Sequence, residues 1–311
     1  MNTPLEEMLA VLHGKNRFIL TTHVNPDGDG LGSEVALAES LADRQKQVSI
    51  LNVSATPTIY QFLDPHHRVQ QFEESVHQQL IADAEAIVVL DTNHPGRLRA
   101  MERYVVESTA VKMCIDHHLD PAPFADQYFI DDDATSTGEL LYRLLMQFQG
   151  TSLPPLIAQA LYCAIMTDTG SFRYPRVDPE IHQIIAHLIE CGADPVTIYQ
   201  QVYERWSPGR IRLLGELLAN ITMAHAGKVA AITVTRESLS RTGTTEEETD
   251  NFTVYPMSIQ GVIIGLLFLE LPDGIKVSFR SKGNIPVNEL AKEFGGNGHL
   301  NAAGAQLQNG S

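Results

Sequence analysis

Four runs in the first 118 residues, RFILTTH, QVSILNV, AIVVLDT and VKMCIDHH, crowd Val, Ile and Leu together without polar alternation. Such runs predict strands buried on both faces. Between them lie helix-like stretches such as EVALAESLADR and SVHQQLIADA. This βα alternation predicts an α/β fold: an N-terminal, mostly parallel sheet with helices on both faces. Ligands in that architecture gather at the carboxyl ends of the strands. Further along, DPEIHQIIAHLIECGADP starts on an Asp-Pro pair and stops at Gly192, as one helix should. KVAAITVT then reads as a strand, and GVIIGLLFLELPDGIKVSFRSK as a hairpin turning at Pro-Asp-Gly. PVNELAKEF reads as a helix, followed by the glycine-rich GGNGHLNAAGA. The expected organisation is a catalytic domain over residues 1–190, a helical linker over 191–215 and a smaller C-terminal α/β domain over 216–311.

Composition narrows the classes of function. Lys and Arg number 22 against 38 Asp and Glu, a formal charge of −16, so the chain has no general attraction for a long phosphate backbone. A small anionic substrate stays open if metal ions or a few local arginines supply positive charge. Cys114, Cys163 and Cys191 are widely spaced in apolar surroundings, which predicts reduced thiols and neither a disulfide framework nor a zinc cluster. The start MNTPLEEMLAVL is unlike a secretory signal, and GVIIGLLFLEL is about half the length of a membrane span. A cytoplasmic protein without membrane association is the expectation.

The chemistry concentrates at the ends of the apolar runs. HVNPDGDGLGS reads as a glycine-broken loop after the first strand, carrying His23, Asp27 and Asp29. Asp91 ends the third quoted run, and Asp116, His117 and His118 end the fourth. LYCAIMTDTGSFRY delivers Asp168 before a turn at Gly170. Any one aspartate here could be a turn residue. Four separate segments presenting metal-type side chains at expected strand ends point instead to one site on one edge of the sheet. Four carboxylates and two imidazoles, with no thiolate, suit Mn2+, Mg2+ or Fe2+ better than structural zinc. Two such ions sharing a carboxylate could clamp a phosphoryl group and activate a water for in-line attack.

HVNPDGDGLGS, DTN, DHH and DTGSF, in that order, resemble the four motifs of the DHH phosphoesterases, and GGNGHLNAAGA resembles the signature of their DHHA1 substrate domain. The resemblance covers nearly the whole chain; its compact length is similar to the nanoRNase and pAp-phosphatase group rather than to the longer RecJ-type exonucleases. It implies two Mn2+ ions, with Mg2+ or Fe2+ as alternatives: one held by His23, Asp27 and Asp91, the other by Asp29, Asp91, His117 and Asp168. It further implies that His118 sits beside the phosphate and that Asp116 fixes the histidines. The glycine-rich loop around Gly296, with His299, Arg280 and the weaker candidate Arg173, would hold a terminal phosphate. Asn297 stands where the family usually shows another glycine. The implied activity is hydrolysis of very short oligonucleotides to mononucleotides, with a 3′-phosphoadenosine-5′-phosphate phosphatase activity beside it. Linear or cyclic dinucleotide messengers are the alternative substrates, and a non-catalytic nucleotide-binding protein the alternative class. No long duplex partner is expected, and a homodimer is left open.

Overall fold

The computed structural model describes residues 2–308, which divide into two units at the junction of Arg205 and Trp206. The first begins with α1 (Leu5–Gly14), β1 (Arg17–Thr21), α2 (Gly28–Ala42), β2 (Gln47–Asn52) and β3 (Val69–Gln71). It continues through α3 (Glu74–Ala82), β4 (Ala86–Leu90), α4 (Glu102–Val106), β5 (Val111–Asp116) and β6 (Gln127–Ile130). Four helices complete it: α5 (Thr137–Gln149), α6 (Pro155–Asp168), α7 (Pro179–Glu190) and α8 (Pro195–Tyr203).

Its sheet runs in the order β3-β2-β1-β4-β5-β6, and every pairing is parallel. Alternate side chains of each strand serve opposite layers. Phe18 and Leu20 of β1 join the larger core beneath α1, α2, α5 and α6, whereas Ile19 joins a smaller core beneath α3 and α4. Each fully buried Leu, Ile or Phe in these layers contributes roughly 1.5–3 kcal/mol relative to exposure. Strand order reverses between β1 and β4, so the loops after these two strands diverge and leave a crevice at their carboxyl ends.

Two sequence expectations are corrected. HVNPDGDGLGS is a loop only as far as Asp27, because α2 already starts at Gly28 with Asp27 as its N-cap. The glycines permit packing rather than flexibility. A Cβ on Gly32 would meet the Ala160 carbonyl at 2.5 Å, and one on Gly28 would meet Thr167 Oγ1 at 2.5 Å. Helix α2 therefore lies antiparallel and tight against α6. Asp168, in turn, ends a helix and not a strand. The 14 residues of α6 are apolar on nearly every face because α2, α5 and the following helices surround it. A helix buried all round carries no amphipathic signal.

The second unit holds α9 (Pro208–Ala219), β7 (Thr222–Ala224), β8 (Val229–Val234), α10 (Arg236–Thr242), α11 (Val254–Ser258) and β9 (Ile264–Leu271). β10 (Gly274–Ser281), α12 (Val287–Glu293), β11 (Asn297–His299) and β12 (Ala302–Gln308) follow. The sheet order is β11-β12-β10-β9-β8-β7, antiparallel except for the β8–β9 pair. Leu271 pairs with Gly274, so Pro272 and Asp273 form the expected two-residue turn. Among the described residues no helix is long and apolar enough to cross a membrane.

Candidate metal centre

The crevice at the β1/β4 switch point collects the ligands read from the sequence. His23 follows β1, and its Nε2 lies 3.3 Å from Asp91 Oδ2 and 3.9 Å from Asp27 Oδ2. His117 follows β5, and its Nε2 lies 3.4 Å from Asp168 Oδ2, 3.7 Å from Asp29 Oδ2 and 3.7 Å from Asp91 Oδ1. Asp91 thus turns one carboxylate oxygen to each imidazole. Its backbone takes the left-handed conformation, φ 59°, immediately after the buried β4. A non-glycine residue held there costs of order 1–3 kcal/mol, and such strain clusters at functional sites.

Three helix ends supply the remaining parts. Asp27 caps α2 with Oδ1, which accepts the amides of Asp29 and Gly30 at 3.1 and 3.2 Å, and turns Oδ2 toward His23. Asp29 accepts the amide of Thr137 at 2.7 Å and that of Gly138 at 2.8 Å, so the N-terminus of α5 grips both of its oxygens. Thr137 Oγ1 also donates to Asp91 Oδ1 at 3.1 Å. Thr137 and Gly138 are not among the residues picked out from sequence. Their signal is Ser136-Thr137-Gly138-Glu139, an N-cap pattern in which Ser136 accepts the Glu139 amide. Asn93 of DTN is a fastener, donating to the His118 carbonyl at 2.8 Å.

Asp116 holds both histidines of the DHH motif. Its Oδ1 accepts the His117 amide at 2.9 Å and lies 2.6 Å from His118 Nδ1. Burial opposes charging of His118, but the bond to Asp116 and the charges of Asp91 and Asp116 outweigh it, lifting the imidazole to about 9. In the ion-free protein the His118 imidazole is therefore protonated at neutral pH.

The carboxylates are crowded. Burial first, then the charges of Asp91, Asp168 and Asp27, raise Asp29 well above the ordinary carboxylate range. Burial, with Asp91 and Asp27 adding repulsion, pushes Asp168 up to about 7. Burial also works against Asp91, yet the His23 hydrogen bond and the three imidazoles hold it below the usual range. A divalent cation relieves this repulsion. Geometry agrees, since two donors about 2.1 Å from one octahedral ion and at right angles stand about 3 Å apart. His23–Asp27–Asp91 and Asp29–His117–Asp168 each bring one donor atom per residue close enough to share an ion. Four carboxylates and two imidazoles form a hard donor set that fits Mn2+, Mg2+ or Fe2+.

Of the residues expected to bind substrate, Arg173 belongs to the first unit and Arg280, Gly296 and His299 to the second. Arg173 is exposed in the turn after α6. Arg280 lies on β10, half-buried, with Nη1 donating to the Phe279 carbonyl at 3.0 Å. Gly296 precedes β11, where a Cβ would meet the Gly304 carbonyl at 2.1 Å, so close strand approach already requires glycine there. His299 ends β11; its side chain lies outside the described structure. Asn297 avoids the left-handed region, and its side chain therefore strains nothing.

The DHH family N-terminal domain matches residues 17–165, and the DHHA1 domain matches residues 226–311. The bifunctional oligoribonuclease and PAP phosphatase NrnA of Bacillus subtilis is 28% identical over 97% of this chain and 92% of its own. The protein of the same name from Thermus thermophilus is 27% identical over 97% of this chain and 87% of its own. The crystal structure of an exopolyphosphatase-related protein from Bacteroides fragilis superposes with a TM-score of 0.95 at 31% identity, covering 99% of this chain and 91% of that one. With both domain types in order and the ligand-bearing segments meeting at the switch point, this chain belongs to the DHH–DHHA1 phosphoesterase family.

Proposed function

We propose that this protein is a two-metal phosphoesterase that hydrolyses very short oligoribonucleotides to mononucleotides and removes the 3′-phosphate from 3′-phosphoadenosine-5′-phosphate. The observation that carries the reading is the split orientation of Asp91, one oxygen toward each imidazole of two carboxylate-imidazole groups. End-to-end similarity to relatives named as oligoribonuclease and PAP phosphatase supplies the substrate class.

His23, Asp27 and Asp91 would hold one ion, and Asp29, Asp91, His117 and Asp168 the other, with Mn2+ the preferred species. Such ions supply Lewis acidity toward a phosphoryl oxygen and lower the pKa of water. The chain's own groups do the rest. Asp27 and Asp29 are fixed by helix amides, so neither has to reorient when charge develops. Cationic His118, steadied by Asp116, is suited to orient the scissile phosphate or to pass a proton to the leaving oxygen. In the second unit, Arg280, the Gly296 turn and His299 are the candidates for the distal phosphate, with Arg173 a further one in the first.

The test is product analysis on 5′-labelled RNAs of about two to ten residues, and on the nucleotide bisphosphate, with Mn2+, Mg2+ or a chelator. Mononucleotide release confined to the shortest RNAs and abolished by chelator is expected. Asp91→Ala should lower kcat/KM at least a hundredfold; a loss smaller than tenfold, or turnover undiminished by chelator, would reject the reading.

A further inference from the structure

One basic side chain beside the centre is not explained by the ligand set or by the fold. Arg97 lies in the short 3-10 helical turn Pro95–Met101 that follows β4, and is half-buried. Its carbonyl accepts the Val24 amide at 2.9 Å, which stitches this turn to the loop that carries His23. Arg17, Arg68, Arg103, Arg143 and Arg241 all form ion pairs with carboxylates. Among the described residues, the Arg97 guanidinium has neither an ion pair nor a hydrogen bond. The backbone bond to Val24 sets Arg97 beside the residue next to one candidate ligand, His23, and the chain places it six residues beyond another, Asp91.

A half-buried arginine without a carboxylate is costly unless something compensates it. Asp27, Asp29, Asp91 and Asp168 carry four negative charges, which two divalent ions would cancel. The charge of His118 is matched by Asp116. An incoming phosphate would therefore meet no surplus positive charge from these groups. We propose that Arg97 is the phosphate-binding residue of this centre: its guanidinium fork takes two non-bridging oxygens of a substrate phosphate held over Asp91. Arg suits this task because the fork matches the oxygens of a phosphate in pairs. The proposal rests on the phosphoesterase reading above and adds a residue to it.

Binding of AMP, the mononucleotide product, separates this inference from the activity. Calorimetry with Mn2+ and AMP is compared for wild type, Arg97→Ala, Arg97→Lys and Arg97→Gln, together with KM and kcat on a diadenylate. The expected result is at least a tenfold weaker AMP affinity and a tenfold higher KM in the alanine and glutamine variants. Lysine should restore part of both, while Mn2+ affinity stays within twofold throughout. AMP affinity and KM within threefold of wild type in Arg97→Ala, or Mn2+ affinity falling in parallel with AMP affinity, would overturn the inference. If alanine fails to fold, the lysine and glutamine variants decide, since they differ in charge but little in bulk. Should wild type bind AMP yet leave RNA intact, the substrate reading fails while the AMP comparison still judges Arg97.

Discussion

His118 Nδ1 lies 2.6 Å from Asp116 Oδ1, and Asp116 is fully buried at the end of β5. The carboxylate keeps the imidazole charged far above its ordinary pKa. Asp116→Asn keeps the shape and removes the charge, so the His118 pKa should fall from about 9. With the protonated ring as the proposed working form, the alkaline fall in kcat/KM should move to lower pH. A loss of about 10–100-fold near pH 8 is expected, shrinking toward pH 6. A pH–rate profile checks it; parallel profiles for the two proteins would argue that His118 acts uncharged.

Metal affinity should rise with pH. In the ion-free protein Asp168 titrates at about 7 and so keeps its proton below neutrality, and Asp29 is raised in the same direction; a cation must displace such protons. Between about pH 6 and 8 the apparent Mn2+ affinity should strengthen by at least tenfold. Calorimetry in buffers of different ionisation enthalpy would count the released protons. For the ion-free fold the sign is opposite. A carboxyl whose native pKa is raised binds more protons folded than unfolded, so its contribution to stability falls as pH rises from about 4 toward 7.

Gly32→Ala should destabilise the first unit. The added methyl would lie 2.5 Å from the Ala160 carbonyl and 3.0 Å from the Ala164 side chain, and a backbone atom cannot swing aside. A cost of about 1–3 kcal/mol is expected from chemical denaturation. The measured helix preference of alanine over glycine would predict a gain, so even the sign discriminates.

Thr137→Val should spare the fold and weaken catalysis. The amides that hold Asp29 belong to the backbone and persist, while the 3.1 Å bond from Thr137 Oγ1 to Asp91 is lost. A drop of about threefold to thirtyfold in kcat with little change in melting temperature is expected, consistent with one lost hydrogen bond to a charged group. Unchanged kcat would show that Asp91 does not need this support.

Much of this molecule is legible in the chain. β1, β4 and β5 are buried over most of their length and β2 over its second half, so their apolar runs announce them. The strand ends then carry His23, Asp91, His117 and His118 into view. The edge strands β3 and β6 escape notice because three or four half-exposed residues leave no pattern. The start of α2 is hidden because glycine ordinarily marks a turn, and only the proximity of α6, distant in sequence, explains why it stands in a helix here. Thr137 and Gly138 act on Asp29 through backbone amides, which any residue except proline possesses. No choice of side chain advertises that role.

The glycine seam between α2 and α6 brings the beginning of one helix beside the end of the other, and with them Asp27 and Asp29 beside Asp168. Each of the two groups consequently has a member anchored on this one packed helix pair. A substitution deep in that seam would alter the spacing of the two carboxylate-imidazole groups before it altered any member of them. Selection for hydrolysis would then police residues that never meet the substrate, and attempts to retune one of the two groups alone should disturb its neighbour.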